Sequence, residues 1–215
     1  MGKILLFLLM SYVIIWAYIF PAPQQSLGEV SRIFYFHVPS AWVSVLAFLV
    51  SMLNGIIYLK KRDLNYDIKS SSASQIGLLF AFLATVSGSM WAKVSWGAYW
   101  NWDPRQVSIF ILLLIYGAYF ALRSAVLEND KKAALSAVYS ILAFITVPFL
   151  VFIVPRVFES LHPATSVVDQ NLKIQMSPKV SLVFFPSLVG FTILFFWIWS
   201  LQVKISQRVE LKKGG

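Results

Sequence analysis

Cysteine is absent from all 215 residues. That excludes disulfides, thiol redox chemistry, iron–sulfur ligation and covalent haem attachment through C-x-x-C-H. Charge is scarce too: 13% of residues are Asp, Glu, Lys or Arg, where soluble domains carry about 25%. Histidine occurs twice. There is no glycine-rich phosphate loop, internal repeat, low-complexity tract or long linker, so residues 1–215 read as a single domain. No acid, base and nucleophile are gathered in one stretch, and the chain reads as a non-enzyme.

Apolar residues fill the space left by charge. They make up 59% of the chain, with a mean hydropathy of +0.74, a composition suited to a bilayer. Apolar runs fall at 4–20, 41–59, 75–94, 107–122, 133–154 and 180–203, most of them near the ~20 residues that cross a hydrocarbon core as a helix. The expectation is an all-α membrane protein with six transmembrane helices and short helices or loops at the outer face. Pro21-Ala22-Pro23 makes a poor cleavage site after the first run, so that run reads as an uncleaved anchor.

Orientation follows from Lys and Arg. The N-terminal segment, the loops at 60–74 and 123–132 and the tail hold 12 of the 18 basic residues, which predicts that both termini are cytoplasmic. The other six are Arg32, Lys93, Arg105, Arg156, Lys173 and Lys179. The net charge of +9 is scattered near span ends. It therefore reads as orientation and contact with anionic lipid, with no stripe fit for nucleic acid.

Both histidines fall in outward segments, His37 in RIFYFHVPSAW and His162 in FESLHPATS. So does the stretch WGAYWNWDPRQ, residues 96–106. The charge count that placed all three on one surface took no account of them. Ser26 and Glu29 fit a capping box, with Val30, Ile33, Phe34 and His37 at helical spacing behind it. His37 is expected on a short surface helix, with Pro39 opening the second span just beyond. Pro163 should stiffen the backbone at His162, and Glu159 or Asp169 could accept the second N–H of its ring.

Trp and Tyr gather at membrane interfaces without further function, and Trp16, Trp42, Trp197 and Trp199 suit that role. Positions 96–103 carry more. As a helix they would align Trp96, Tyr99, Trp100 and Asp103 on one face, stopped by Pro104, while Gly97 leaves room beside the backbone. Such a ledge suits a flat, apolar ligand that is anionic at one edge and accepts imidazole, and haem has these properties. Indoles can stack on the macrocycle, Arg105, Arg32 or Arg156 can pair with propionates, and His37 and His162 can take the axial positions. Both nitrogens on one iron would stand about 4 Å apart, twice a metal–imidazole bond.

WGAYWNWDPR resembles the WG-x-x-W-x-W-D motif of the tryptophan-rich (WWD) haem-handling family of cytochrome c biogenesis. RIFYFHVPSAW and SLHPATS are similar to the two outer histidine segments of its short six-helix branch, haem exporter protein C. The resemblance runs through all six spans. It implies a multi-pass protein of the bacterial inner membrane that holds haem b as cargo at the outer face and passes it to a periplasmic haem chaperone. The implied company is an ATP-binding cassette transporter and a small membrane subunit. Residue by residue it implies His37 and His162 as axial ligands and Trp96, Gly97, Trp100, Trp102 and Asp103 as the platform, with Arg32 and Arg105 at matching basic positions. Pro104, and Pro163-Ala164 after the second histidine, depart from the pattern and leave local loop geometry open. Longer relatives add histidines inside the membrane; this chain has none there. Two other readings remain: an electron-transfer subunit with permanent bis-His haem, and a structural or transporter subunit without haem.

Overall fold

The computed structural model describes residues 2–20, 25–162 and 176–213, with side chains omitted at 25–28 and 211–213. Every regular element among them is helical, and six helices are long and apolar enough to cross a membrane. Their order is α1 (Gly2–Ile19), a 3-10 segment (Gln25–Ile33), α2 (Phe34–Lys61), α3 (Leu64–Trp96), α4 (Pro104–Ala125) and α5 (Asn129–Pro148). A π turn (Phe149–Ile153) and α6 (Val154–Val157) continue the fifth span, and α7 (Pro178–Lys213) forms the sixth.

The antiparallel pair α2 and α3 forms the spine, with α5 and α7 packed on α2, α4 on α3 and α1 on α7. Lipid is as apolar as leucine, so close van der Waals contact between small residues must hold such helices together. Buried Ser40, Ser44, Ala47, Ser51 and Gly55 line one side of α2, and Ser70, Ala73, Ser74, Gly77, Ala81 and Ala84 line α3. The buried hydroxyls pair: Ser51 Oγ lies 2.6 Å from Ser74 Oγ and 3.1 Å from Ser70 Oγ. At this end of the bundle Arg123 grips Asp67 with two hydrogen bonds, at 2.6 and 2.9 Å, tying the end of α4 to the start of α3.

Helix boundaries differ from the sequence expectations for local reasons. Residues 64–74 were expected to be loop, yet α3 starts at Leu64. Asp63 caps it by accepting the Asn65 N–H at 2.9 Å, and the serine-rich stretch turns inward. The separate surface helix expected for His37 does not exist either. The 3-10 segment runs straight into α2, His37 lies in the first turn of that long helix, and Pro39 lies inside it. The side chain of Ser26, on which the capping box depends, is outside the described residues. Proline supplies no N–H for the Tyr35 carbonyl one turn back. Ser187 of α7 donates to that carbonyl instead, at 2.5 Å, in a fully buried contact. Of the three prolines expected to bend the last spans, Pro148 and Pro155 flank the π turn and Pro186 lies inside α7.

Candidate haem site

The start of α2, the end of α3, the start of α4 and the end of α6 meet at the end of the bundle opposite the Asp67–Arg123 pair. Between α3 and α4, residues 97–103 are not helical. Gly97 caps α3 at φ +84°, a left-handed conformation that glycine adopts without strain, and a Cβ there would meet nothing within 4 Å. Asp103 caps α4 by accepting the Arg105 N–H at 2.9 Å, with Pro104 in the first turn. The helix expected over 96–103 is thus corrected to a turn, and Pro104 opens a helix where it was expected to close one.

The turn is pinned from α4 and α3. Gln106, buried, accepts the Asn101 N–H at 2.8 Å and donates to the Tyr99 carbonyl at 3.2 Å. Lys93 donates to the Gly97 carbonyl at 2.9 Å and lies over the Tyr99 ring. Trp102 takes φ +56°, an outlier for so bulky a residue, and its side chain is 77% exposed. Strain of this kind, held by a surrounding network, often marks a site of function. Without a helix here, helical spacing does not align Trp96, Tyr99, Trp100 and Asp103. Trp96 packs edge-on against His162 with centroids 4.8 Å apart, Trp100 meets Trp102 and Phe110, and Tyr99 is 60% exposed.

Asp103 is the hub. Only 3% exposed, it uses both oxygens twice. Oδ1 accepts from the Arg105 N–H and pairs with His162 Nδ1 at 3.0 Å, and Oδ2 accepts from Ser160 Oγ at 2.8 Å and the Leu161 N–H at 2.7 Å. A carboxylate offers about four such positions, and all are taken. The partner of the His162 ring is therefore Asp103, 59 positions away, rather than Glu159, while Asp169 lies outside the described residues, as do Pro163 and Ala164. Burial pushes the Asp103 carboxyl up, but the Arg105 and Leu161 amides, the Ser160 hydroxyl and His162 together hold it below its ordinary value. Burial pulls His162 down and Asp103 raises it, with a net value below the ordinary 6.5. The imidazole is thus neutral at pH 7, with Nδ1–H on the carboxylate and the Nε2 lone pair without a partner among the described residues, the form in which histidine binds a metal.

His37, on α2, has its Nδ1 3.1 Å from Ser87 Oγ of α3. Its contacts at Ser87 and Gly88 lie nine and eight positions before Trp96 on α3, about 12–14 Å of helix rise. On the His162 side, the Arg105 guanidinium is near enough to act on the ring together with the Asp103 carboxylate. Arg105 Nε is buried without a hydrogen-bond partner among the described residues, which suits a carboxylate brought in by a ligand. Arg32 is committed elsewhere. It donates to the Ala17 and Tyr18 carbonyls at the end of α1, at 2.7 to 3.2 Å, pairs with Glu29 and lies over the Tyr18 ring. Arg156 bonds the Phe152 carbonyl. Ser87, Gly88, Gln106, Ser160 and Leu161 carried no sequence signal of their own, because their roles depend on partners distant in the chain.

These features define a polytopic membrane protein with two imidazoles, a guanidinium nitrogen without a partner among the described residues and clustered indoles at one end of its bundle. No metal-binding group of three or more His, Cys, Asp or Glu occurs among the described residues. The chain belongs to the family CcmC, Heme exporter protein C, which it matches over residues 2–213. It is 35% identical over 141 residues to Heme exporter protein C of Bradyrhizobium diazoefficiens, covering 66% of this chain and 53% of that one. It is 29% identical over 196 residues to a putative cytochrome c biosynthesis ccmC-like mitochondrial protein of Marchantia polymorpha, covering 91% and 82%. To Heme exporter protein C of Escherichia coli K12 it is 27% identical over 161 residues, covering 74% and 64%. The match thus spans about half the length of the Bradyrhizobium relative.

Proposed function

We propose that this chain holds haem at the outer face of a bacterial inner membrane and hands it to a periplasmic haem chaperone for maturation of c-type cytochromes. One observation carries the reading: in a member of this family, the aspartate that ends the tryptophan-rich motif fixes His162 with its Nε2 lone pair unpartnered among the described residues, beside Trp96. His162 and His37 take the axial positions. Arg105 receives a propionate on its unpaired Nε, and Trp96, Trp100, Trp102 and Tyr99 shield the macrocycle around the Gly97 turn. Arg32 keeps the segment before His37 docked on α1. The Lys/Arg distribution supports this face as the extracytoplasmic one, with both termini cytoplasmic.

The haem, of b type, is cargo. Half of the site is a turn and a loop segment instead of two facing helices, so one axial histidine can yield to a partner's without unfolding a span. An ATP-binding cassette transporter and a small membrane subunit are the expected company, and no bond-making step on a substrate is assigned to the chain. The test is to mix haem-loaded, detergent-solubilised protein with haem-free periplasmic chaperone and separate the two. Transfer of haem supports the reading. Haem that stays put through repeated reduction and oxidation makes the chain an electron-transfer subunit instead.

A further inference from the structure

His37 rests on α3 beside the Ala84 carbonyl and against two residues that the function above does not use, Ser87 and Gly88. Ser87 Oγ lies 2.7 Å from the Leu83 carbonyl and 3.2 Å from the Ala84 carbonyl of its own helix, and 3.1 Å from His37 Nδ1. A hydroxyl has one proton, and a carbonyl can only accept. The short contact to Leu83 uses that proton, so Nδ1 must donate to Oγ, which leaves the lone pair on Nε2. Next to it, a Cβ on Gly88 would stand 2.8 Å from His37 Cε1, 3.4 Å from Nδ1 and 3.7 Å from Nε2. Gly88 lies within α3, where glycine is a weaker helix former than alanine. Its backbone is ordinary, so what glycine provides here is room for the ring.

We propose that Ser87 and Gly88 form the seat of His37: Ser87 fixes the Nδ1–H tautomer, and Gly88 sets how closely the imidazole lies against α3. Both are positioning residues that act through His37, and the proposal rests on the reading of His37 as an axial ligand. The two histidines thereby present the same nitrogen by different means, His162 through a carboxylate and His37 through a hydroxyl.

With only two histidines in the chain, ring-nitrogen NMR of full-length, haem-free protein carrying 15N-histidine reads the tautomer directly, and His162→Gln removes the second set of signals. The expected result is a His37 protonated on Nδ1, retained in Ser87→Thr and lost to a tautomer mixture in Ser87→Ala. In haem-loaded protein, Gly88→Ala and Ser87→Ala should shift the low-spin absorption spectrum toward high spin and weaken haem retention by about 10–100-fold, the scale for losing the outer partner of a ligating histidine. Gly117→Ala, where an added Cβ meets nothing within 4 Å, should change neither. A His37 that carries its proton on Nε2 in the wild type overturns the seat. So does a spectrum that responds to His37→Ala but to neither seat variant, an outcome that leaves the haem reading intact. A spectrum indifferent to His37→Ala defeats the haem reading itself.

Discussion

Asp103 does three jobs with one side chain: it caps α4, closes the loop at Ser160 and Leu161, and holds the His162 ring. Asparagine caps a helix about as well as aspartate. Asp103→Asn should therefore keep α4 while depriving His162 of an anionic acceptor, and haem titration of the purified variant should show affinity lowered about 10–100-fold. Unchanged affinity would reduce Asp103 to a loop-closing residue. The same pair sets a pH response in the haem-free protein. Asp103 and His162 both lie below their ordinary values when folded, so the unfolded chain binds more protons and stability falls as pH falls. The His162 share is complete above 6.5 and is lost as pH drops from there toward the folded value; the Asp103 share is lost only below 3.8. Thermal unfolding should be flat from pH 8 to 7 and weaken below about 6.5, and His162→Gln should reduce that limb.

At the scale of elements, the turn between α3 and α4 shows how a motif can be legible while its shape is not. The i, i+3, i+4, i+7 spacing of Trp96, Tyr99, Trp100 and Asp103 suggests a helix, but eight residues are too few for periodicity to outweigh punctuation. Gly97 is a C-cap residue and Asp103-Pro104 an N-cap followed by proline, so together they end one helix and begin the next. The start of α2 is a similar case. Pro39 suggested a helix beginning nearby, and only the fold reveals that Ser187, 152 positions from Tyr35, takes over the hydrogen bond that proline forfeits. Ser187→Ala should leave the Tyr35 carbonyl buried and unpaired, lowering stability by about 1–3 kcal/mol. Thermal unfolding of the variant in detergent measures this, and no loss would show that Tyr35 finds another donor.

For the whole molecule, the six spans were legible because a bilayer leaves an isolated chain little choice but the helix, and apolar length alone marks it. The meeting of distant residues was legible only in outline. Alternating spans placed His37, His162 and the tryptophan turn at one end, but the contacts of Asp103 with His162 and Ser87 with His37 span 59 and 50 positions and leave no local pattern. Orientation can be tested cleanly in a chain without cysteine. Val157→Cys and Leu127→Cys, at exposed positions at opposite ends of the bundle, should react with a membrane-impermeant thiol reagent from opposite sides. Val157→Cys should label in intact spheroplasts and Leu127→Cys only after permeabilisation, and the reverse pattern would invert the topology. The most direct measurement of all is the absorption spectrum of haem-loaded wild type beside His37→Ala and His162→Ala. Two imidazoles on one iron predict a low-spin spectrum that each substitution shifts toward high spin; a spectrum that neither substitution alters would contradict the shared site.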